Sequence, residues 1–242
     1  LSATACTHRE AAQSSPAEHH HGAHHGAMPH RFEDAREWAK RFDDPERELV
    51  AAFERVAGDG RSELALVSGQ PGIGKSSVVR EFLQTPSVSK GIFATGKCDQ
   101  STRDIPYATL AQALHGLVQM ILRSSEAELA RWRASTEYAV GPNGQLIAGL
   151  VPELELVIGK QPGVPDLPAQ DSRNRFQMTF RAFLRVFSRS EHPLVLFLDD
   201  LQWVDAATLG LVEDLAGRRE TRHLLLIGAY RDNEVGPSHP LA

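Results

Sequence analysis

Only two cysteines, Cys6 and Cys98, occur in the 242 residues. They supply no disulfide framework and no C-x-x-C pair, and a reducing, cytoplasmic setting fits them. No stretch approaches the roughly 20 apolar residues a membrane helix needs, and the N-terminus lacks the basic-then-apolar pattern of a signal peptide. Basic residues are not in excess: 26 Lys and Arg stand against 31 Asp and Glu, a net charge of −5. Nucleic acid is therefore not the expected partner. Neither an H-R-D nor a D-F-G segment is present, so no protein kinase domain is expected. Internal repeats are missing too. Residues 1–30 are poor in large aliphatics and rich in Ala, Ser and His. Such a stretch cannot bury enough surface to offset chain entropy, and residues 1–42 are expected to be a disordered tail. Its clustered histidines, His19, His20, His21, His24, His25 and His30, lack the Cys or carboxylate partners that would fix a metal geometry. They read as a solvated low-complexity run that binds Ni²⁺ or Zn²⁺ adventitiously.

The remainder, residues 43–242, has the makings of a core, with 41% hydrophobic residues in the chain as a whole. Its most informative stretch is Gly69-Gln70-Pro71-Gly72-Ile73-Gly74-Lys75-Ser76, which fits G-x-x-x-x-G-K-[ST] without mismatch. It follows the apolar run 64–67 and opens a helical segment from Ser76 to Leu83. Glycines let a backbone curl around a triphosphate with no Cβ in the way. Several N–H groups and the positive end of a helix then face one anion. On this reading residues Gly69 to Ser77 bind the phosphates of ATP. Lys75 neutralises the β- and γ-phosphates, and Ser76 is a hard oxygen ligand for Mg²⁺.

A second stretch complements the first. Leu194 to Leu198 is continuously apolar, as a strand buried on both faces should be, and it ends in Asp199-Asp200. Carboxylates at the C-terminal end of such a strand lie where open α/β sheets bind ligands. Asp199 is the candidate second Mg²⁺ ligand, and Asp200 the candidate that orients or deprotonates the attacking water. Arg231, after the last apolar run, can aim its guanidinium at a γ-phosphate or pair with Asp232 or Glu234. Trp203 reads as packing beneath the site.

Around these motifs the periodicity predicts strands at 63–68, 91–97, 194–198 and 224–229. Helices are predicted over 45–56, 76–83, 106–123, 126–140, 145–151, from Asp171 as N-cap through Phe187, and 206–216 with Asp205 as N-cap. Phe176, Phe180, Phe183, Leu184 and Phe187 share one helical face and read as core. Strands alternating with helices indicate an α/β fold with a parallel sheet.

Four segments taken together resemble the STAND group of AAA-type ATPases: residues 64–82, 96–114, 193–215 and 224–235. The likeness is strongest to the origin-recognition-like AAA domain of large bacterial proteins that also carry serine/threonine kinase and sensor or histidine-kinase domains. The resemblance implies a three-layer P-loop NTPase and an ATP-dependent signalling switch with slow hydrolysis. It implies other domains of a larger signalling protein as partners, and nucleotide-dependent self-association. It identifies Gly69–Ser76 with the Walker A site, Asp199-Asp200 with the Walker B site and Arg231 with the sensor-1 position. It also places the first strand between the last one and a fifth strand, with that strand, a helical lid and a winged helix expected beyond residue 242. Without a fifth strand the strand at 63–68 becomes a sheet edge, an association hazard. The chain departs from the family at 42–47 (FDDPER), where an aromatic-Gly-Arg-Glu element is usual, and at Asp200, where Glu is common. The rival readings are a non-hydrolysing nucleotide-gated interaction module, a small-molecule P-loop kinase and a DNA-linked ATPase.

Overall fold

The computed structural model describes residues 2–7, 45–218, 220–236, 239 and 241. Five strands form one sheet: β1 (Ser2–Thr7), β2 (Glu63–Ser68), β3 (Ile92–Lys97), β4 (Leu194–Asp199) and β5 (Leu224–Tyr230), in the spatial order β1-β2-β5-β4-β3. Strands β2, β5, β4 and β3 are mutually parallel, with Glu63 opposite Leu225, Leu194 opposite Leu224 and Ile92 opposite Leu194. Parallel neighbours require crossover connections. These are supplied by α2 (Lys75–Gln84), by the long helical insertion between β3 and β4, and by α8 (Ala206–Gly217). The α/β parallel-sheet architecture expected from the sequence is the one found.

Side chains alternate between the two sheet faces, and each face has its own core. Helices α1 (Pro45–Asp59) and α2 cover one face, where Leu49, Phe53, Val56, Val79 and Phe82 meet Ala65, Val67, Val195, Leu225 and Ile227. The other face carries the larger core. There Leu66, Leu196, Leu198 and Leu226 pack with α3 (Ala108–Leu122), α7 (Ala169–Phe187) and α8. The α3 residues anticipated to face inward, Leu110, Leu114, Leu117 and Ile121, are all fully or almost fully buried. Phe180, Phe183, Leu184 and Phe187 of α7 are buried as expected, and Phe176 is partly buried against the same core. Between these helices lie α4 (Glu126–Val140), α5 (Gly144–Ala148) and α6 (Glu155–Ile158).

Several boundaries differ from the sequence reading, each for a local reason. Helix α3 begins at Ala108 rather than at Pro106, because Tyr107 adopts a left-handed conformation (φ 63°) and ends the preceding turn. Helix α7 begins at Ala169, and its N-cap is Pro168 rather than Asp171; the extended Pro168 backbone lets its carbonyl accept from Ser172 N–H. Asp171 instead sits in the first turn, where a carboxylate favours the helix dipole. Helix α5 stops at Ala148, short of Val151, which is extended before Pro152. Asp205 does cap α8, accepting from Thr208 N–H at 2.8 Å.

The expected edge at β2 is the main correction. Residues 2–7, anticipated as part of a disordered tail, form β1 and pair antiparallel with β2, with Ser2 opposite Ser68 and Thr7 opposite Glu63. The backbone groups on that side of β2 are therefore paired, which removes the edge on which self-association was expected to rest. The rest of the tail and its histidines lie outside the described residues, as does the 42–44 part of the departing segment.

A glycine in β5 helps to position the site. A Cβ at Gly228 in β5 would lie 2.4 Å from Leu201 Cδ1 and 2.9 Å from Leu66 Cδ2. Its absence lets the 3₁₀ turn Leu201–Trp203, which follows the carboxylate pair, seat directly on the sheet.

Candidate functional site

The glycine loop leaves β2 at Ser68 and feeds α2, and the geometry of the loop follows from its residues. Gly72 (φ 76°) and Gly74 (φ 97°) occupy left-handed backbone that a Cβ would strain. Gly74 is the N-cap of α2 and no side chain caps that helix. Its first amides remain free of side-chain competition, which is what an anion site at a helix start needs. Ser77 N–H donates to the Gly74 carbonyl at 2.9 Å. Gln70, Pro71 and Gly72 are exposed along the loop and Ile73 projects outward, 47% exposed. Lys75, by contrast, is buried: its Nζ donates to the carbonyls of Gly69 at 2.9 Å and Gln70 at 3.0 Å. The ammonium is thus folded back along the loop, within the curl that the glycines make.

The two motifs meet although 123 positions separate Ser76 from Asp199. Ser76 Oγ donates to Asp199 Oδ2 at 2.8 Å. The contact exists because β2 and β4 flank β5, which brings the start of α2 beside the end of β4. A hydroxyl and a carboxylate oxygen at this distance are the hard donor pair that could hold Mg²⁺. A groove of ≈ 540 Å³ opens at this pair and passes Lys97, Gln112 and His115 along β3.

Asp200 sits at the centre of a polar cluster. It adopts a left-handed conformation (φ 55°) as N-cap of the 3₁₀ turn, and its N–H donates to Asp199 Oδ1 at 3.0 Å. Its Oδ1 accepts from Gln202 Nε2 at 2.9 Å and lies 3.4 Å from Arg231 Nε; its Oδ2 lies 3.4 Å from Lys97 Nζ. Burial would raise its pKa, but the hydrogen bonds from Gln202 and Lys97 and the charges of Arg231 and Lys97 outweigh it and hold the carboxyl below its ordinary value. The shift implies that Asp200 stays ionised, and that its contribution to stability is present above the unfolded Asp range and lost as pH falls through the lower folded value. An NMR titration of the Asp200 carboxyl carbon is expected to give a midpoint below about 3.9, the unperturbed Asp value, and Lys97→Ala is expected to raise it. A wild-type midpoint above that value would show that burial dominates.

Arg231 takes up the ion-pair reading, with Glu234 as one of the two partners anticipated for it. Its NH1 pairs with Glu234 Oε1 at 2.8 Å while its Nε faces Asp200. The Glu234 hydrogen bond, more than the Asp200 charge, raises its pKa. Trp203 is partly buried against the large core, as anticipated.

Three polar residues of this cluster escaped the sequence reading. Lys97, at the end of β3, is brought opposite Asp199 by the parallel register, and its N–H donates to Gln112 Oε1 at 2.6 Å. Gln202, only 2% exposed, bridges Asp200 and Arg231: its Oε1 accepts from Arg231 N–H at 3.1 Å. His239 reaches back to the Gln202 carbonyl. The only available signal was their nearness in sequence to strand ends. Among the described residues no group of His, Cys, Asp and Glu forms a further metal cluster. Cys98 is a buried free thiol whose pKa is pushed up to about 11, mainly by burial.

A parallel sheet with a glycine loop feeding a helix beside a strand-end carboxylate pair defines a P-loop nucleotide-binding domain. The chain matches the AAA ATPase domain family over residues 44–227 and belongs to that family. It is also similar to the hybrid signal transduction histidine kinase G of Dictyostelium discoideum, at 36% identity over 165 residues. That alignment covers 68% of this chain and 5% of the relative, so the chain spans only a small part of that relative's length. No described helix is long and apolar enough to cross a membrane.

Proposed function

We propose that the chain is an ATP- and Mg²⁺-binding switch domain that hydrolyses ATP slowly and passes its nucleotide state to other domains of a larger signalling protein. The observation that carries this reading is the 2.8 Å contact between Ser76 and Asp199. It joins the two halves of the site in the arrangement a phosphate-bound cation needs. The amides of residues 69–77 and Lys75 bind the phosphates. Ser76 and Asp199 hold Mg²⁺, which when bound neutralises charge on the β- and γ-phosphate oxygens. Asp200 orients water, and Arg231 exchanges its carboxylate partners for the γ-phosphate.

The low pKa of Asp200 bears on the rate. A carboxylate held by Gln202, Lys97 and Arg231 is a weak proton acceptor, so its role is orientation rather than full deprotonation of water. The same observation favours a second reading, in which the site binds nucleotide without hydrolysing it and only gates partner domains. Measuring MgATP affinity and single-turnover hydrolysis together separates the two. Asp200→Asn is expected to slow turnover about tenfold to a hundredfold, at or below the foot of the general-base range, with affinity changed less than threefold. Binding with no turnover in the wild-type chain would select the gating module. Nucleotide-dependent self-association is checked in the same samples by light scattering with and without MgATP.

A further inference from the structure

Gln202 is a buried side chain that touches both Asp200 and the backbone of Arg231. Its own carbonyl is held from a third direction. His239 Nε2 lies 2.9 Å from that oxygen, and Leu241 N–H donates to His239 Nδ1 at 3.1 Å. With Nδ1 accepting, the ring proton sits on Nε2 and is donated to Gln202, so the two bonds select one neutral tautomer. The ring itself is fixed. His239 N–H donates to the Gly236 carbonyl at 2.9 Å, and Leu241 is 2% exposed within the large core. The chain following β5 is thus fastened to the turn that follows β4 by one imidazole.

We propose that His239 is a positioning residue that couples the Asp200–Arg231 pair to the segment around Gly236, His239 and Leu241. The path is short and physical. Any ligand that draws Arg231 or Asp200 away removes a partner from the Gln202 side chain. A buried amide cannot remain half-satisfied without cost, so Gln202 reorients and its carbonyl moves relative to the His239 donor. Conversely, freeing His239 loosens the turn that presents Asp200. The nucleotide-driven direction rests on the proposed ATP site; the coupling between the two segments does not.

The experiment is hydrogen–deuterium exchange on the full chain, following peptides over 199–205, 236–241 and 69–84, with and without a non-hydrolysable ATP analogue and Mg²⁺. In the absence of nucleotide, Gln202→Ala is expected to speed exchange over 236–241 about threefold to tenfold, the size of one net hydrogen bond. His239→Ala is expected to speed exchange over 199–205 similarly, leaving 69–84 unchanged. Two conservative variants sharpen the assignment. His239→Gln can restore the donor at the Nε2 position and is expected to rescue 199–205. His239→Asn can restore only the acceptor near Nδ1 and is expected not to. With the analogue, 236–241 should respond in the wild type and not in His239→Ala. Unchanged exchange over 236–241 in Gln202→Ala, or equal behaviour of the Gln and Asn variants, overturns the coupling. If the analogue binds no variant, the ATP reading fails, while the nucleotide-free comparisons still decide the coupling.

Discussion

Lys75→Ala is expected to remove measurable MgATP binding while leaving the fold intact. The side chain is only 7% exposed, and its Nζ is spent on two carbonyls of its own loop, Gly69 and Gln70. Those bonds place the only ammonium described on the glycine loop inside the curl where phosphates would sit. A charged hydrogen bond contributes about 1.5–3 kcal/mol. Loss of two such bonds to phosphate therefore weakens binding at least about a hundredfold. Stability should fall by no more than the two hydrogen bonds that Lys75 makes within its own loop, to the carbonyl of buried Gly69 and to that of exposed Gln70. Titration calorimetry with MgATP and a thermal melt on the same preparation check both halves. Affinity within threefold of wild type would show that the loop amides alone hold the phosphates. Lys75→Arg is not expected to rescue, since the planar fork is larger than the compact ammonium that the loop encloses.

Most of what positions this site was written locally. The strands at β2, β4 and β5 are continuous apolar runs, and the residues after two of them carry recognisable chemistry, so the Gly69–Ser76 loop and Asp199-Asp200 are placed on strand ends by the sequence alone. The partners of Asp200 could not. Lys97 reaches it only through the register of β3 on β4, and Gln202 and His239 act through contacts that span 37 residues between them. Such pairings have no periodicity to announce them. The β1 strand escaped for a different reason. Its residues, Ser-Ala-Thr-Ala-Cys-Thr, carry no large aliphatic, and their strand state comes from the open side of β2 rather than from their own propensity. Helix α4 shows the opposite case. Its bounds, 126–140, were legible, and the fold explains them: Ser125 and Glu128 form a reciprocal capping box at its start.

Gly96→Val is expected to have the largest effect on folding. Gly96 lies in β3 where α3 crosses it, and a Cβ there would stand 2.2 Å from the Thr109 backbone oxygen and 2.8 Å from Thr109 Cγ2. A backbone oxygen at the start of a helix cannot swing aside as a side-chain tip can, so α3 itself must move. Overpacking of this kind costs about 3 kcal/mol or more, a large part of the roughly 5–15 kcal/mol that holds a domain together. Gly116 makes the control. It lies in the same helix, and a Cβ there meets nothing within 4 Å. Gly116→Ala is therefore expected to stabilise by about 0.5–1 kcal/mol. Urea denaturation of the two variants should give shifts of opposite sign. A Gly96→Ala protein as stable as wild type would mean that β3 and α3 are not in contact at this point. If that milder variant folds with a loss, its site should suffer too. Displacing α3 moves Thr109 from Cys98 and Gln112 from the Lys97 N–H, and Lys97 is one of the two cations that keep Asp200 ionised. The Asp200 titration should then shift upward along with the loss of stability, tying the spacing of one strand and one helix to the charge state of the site.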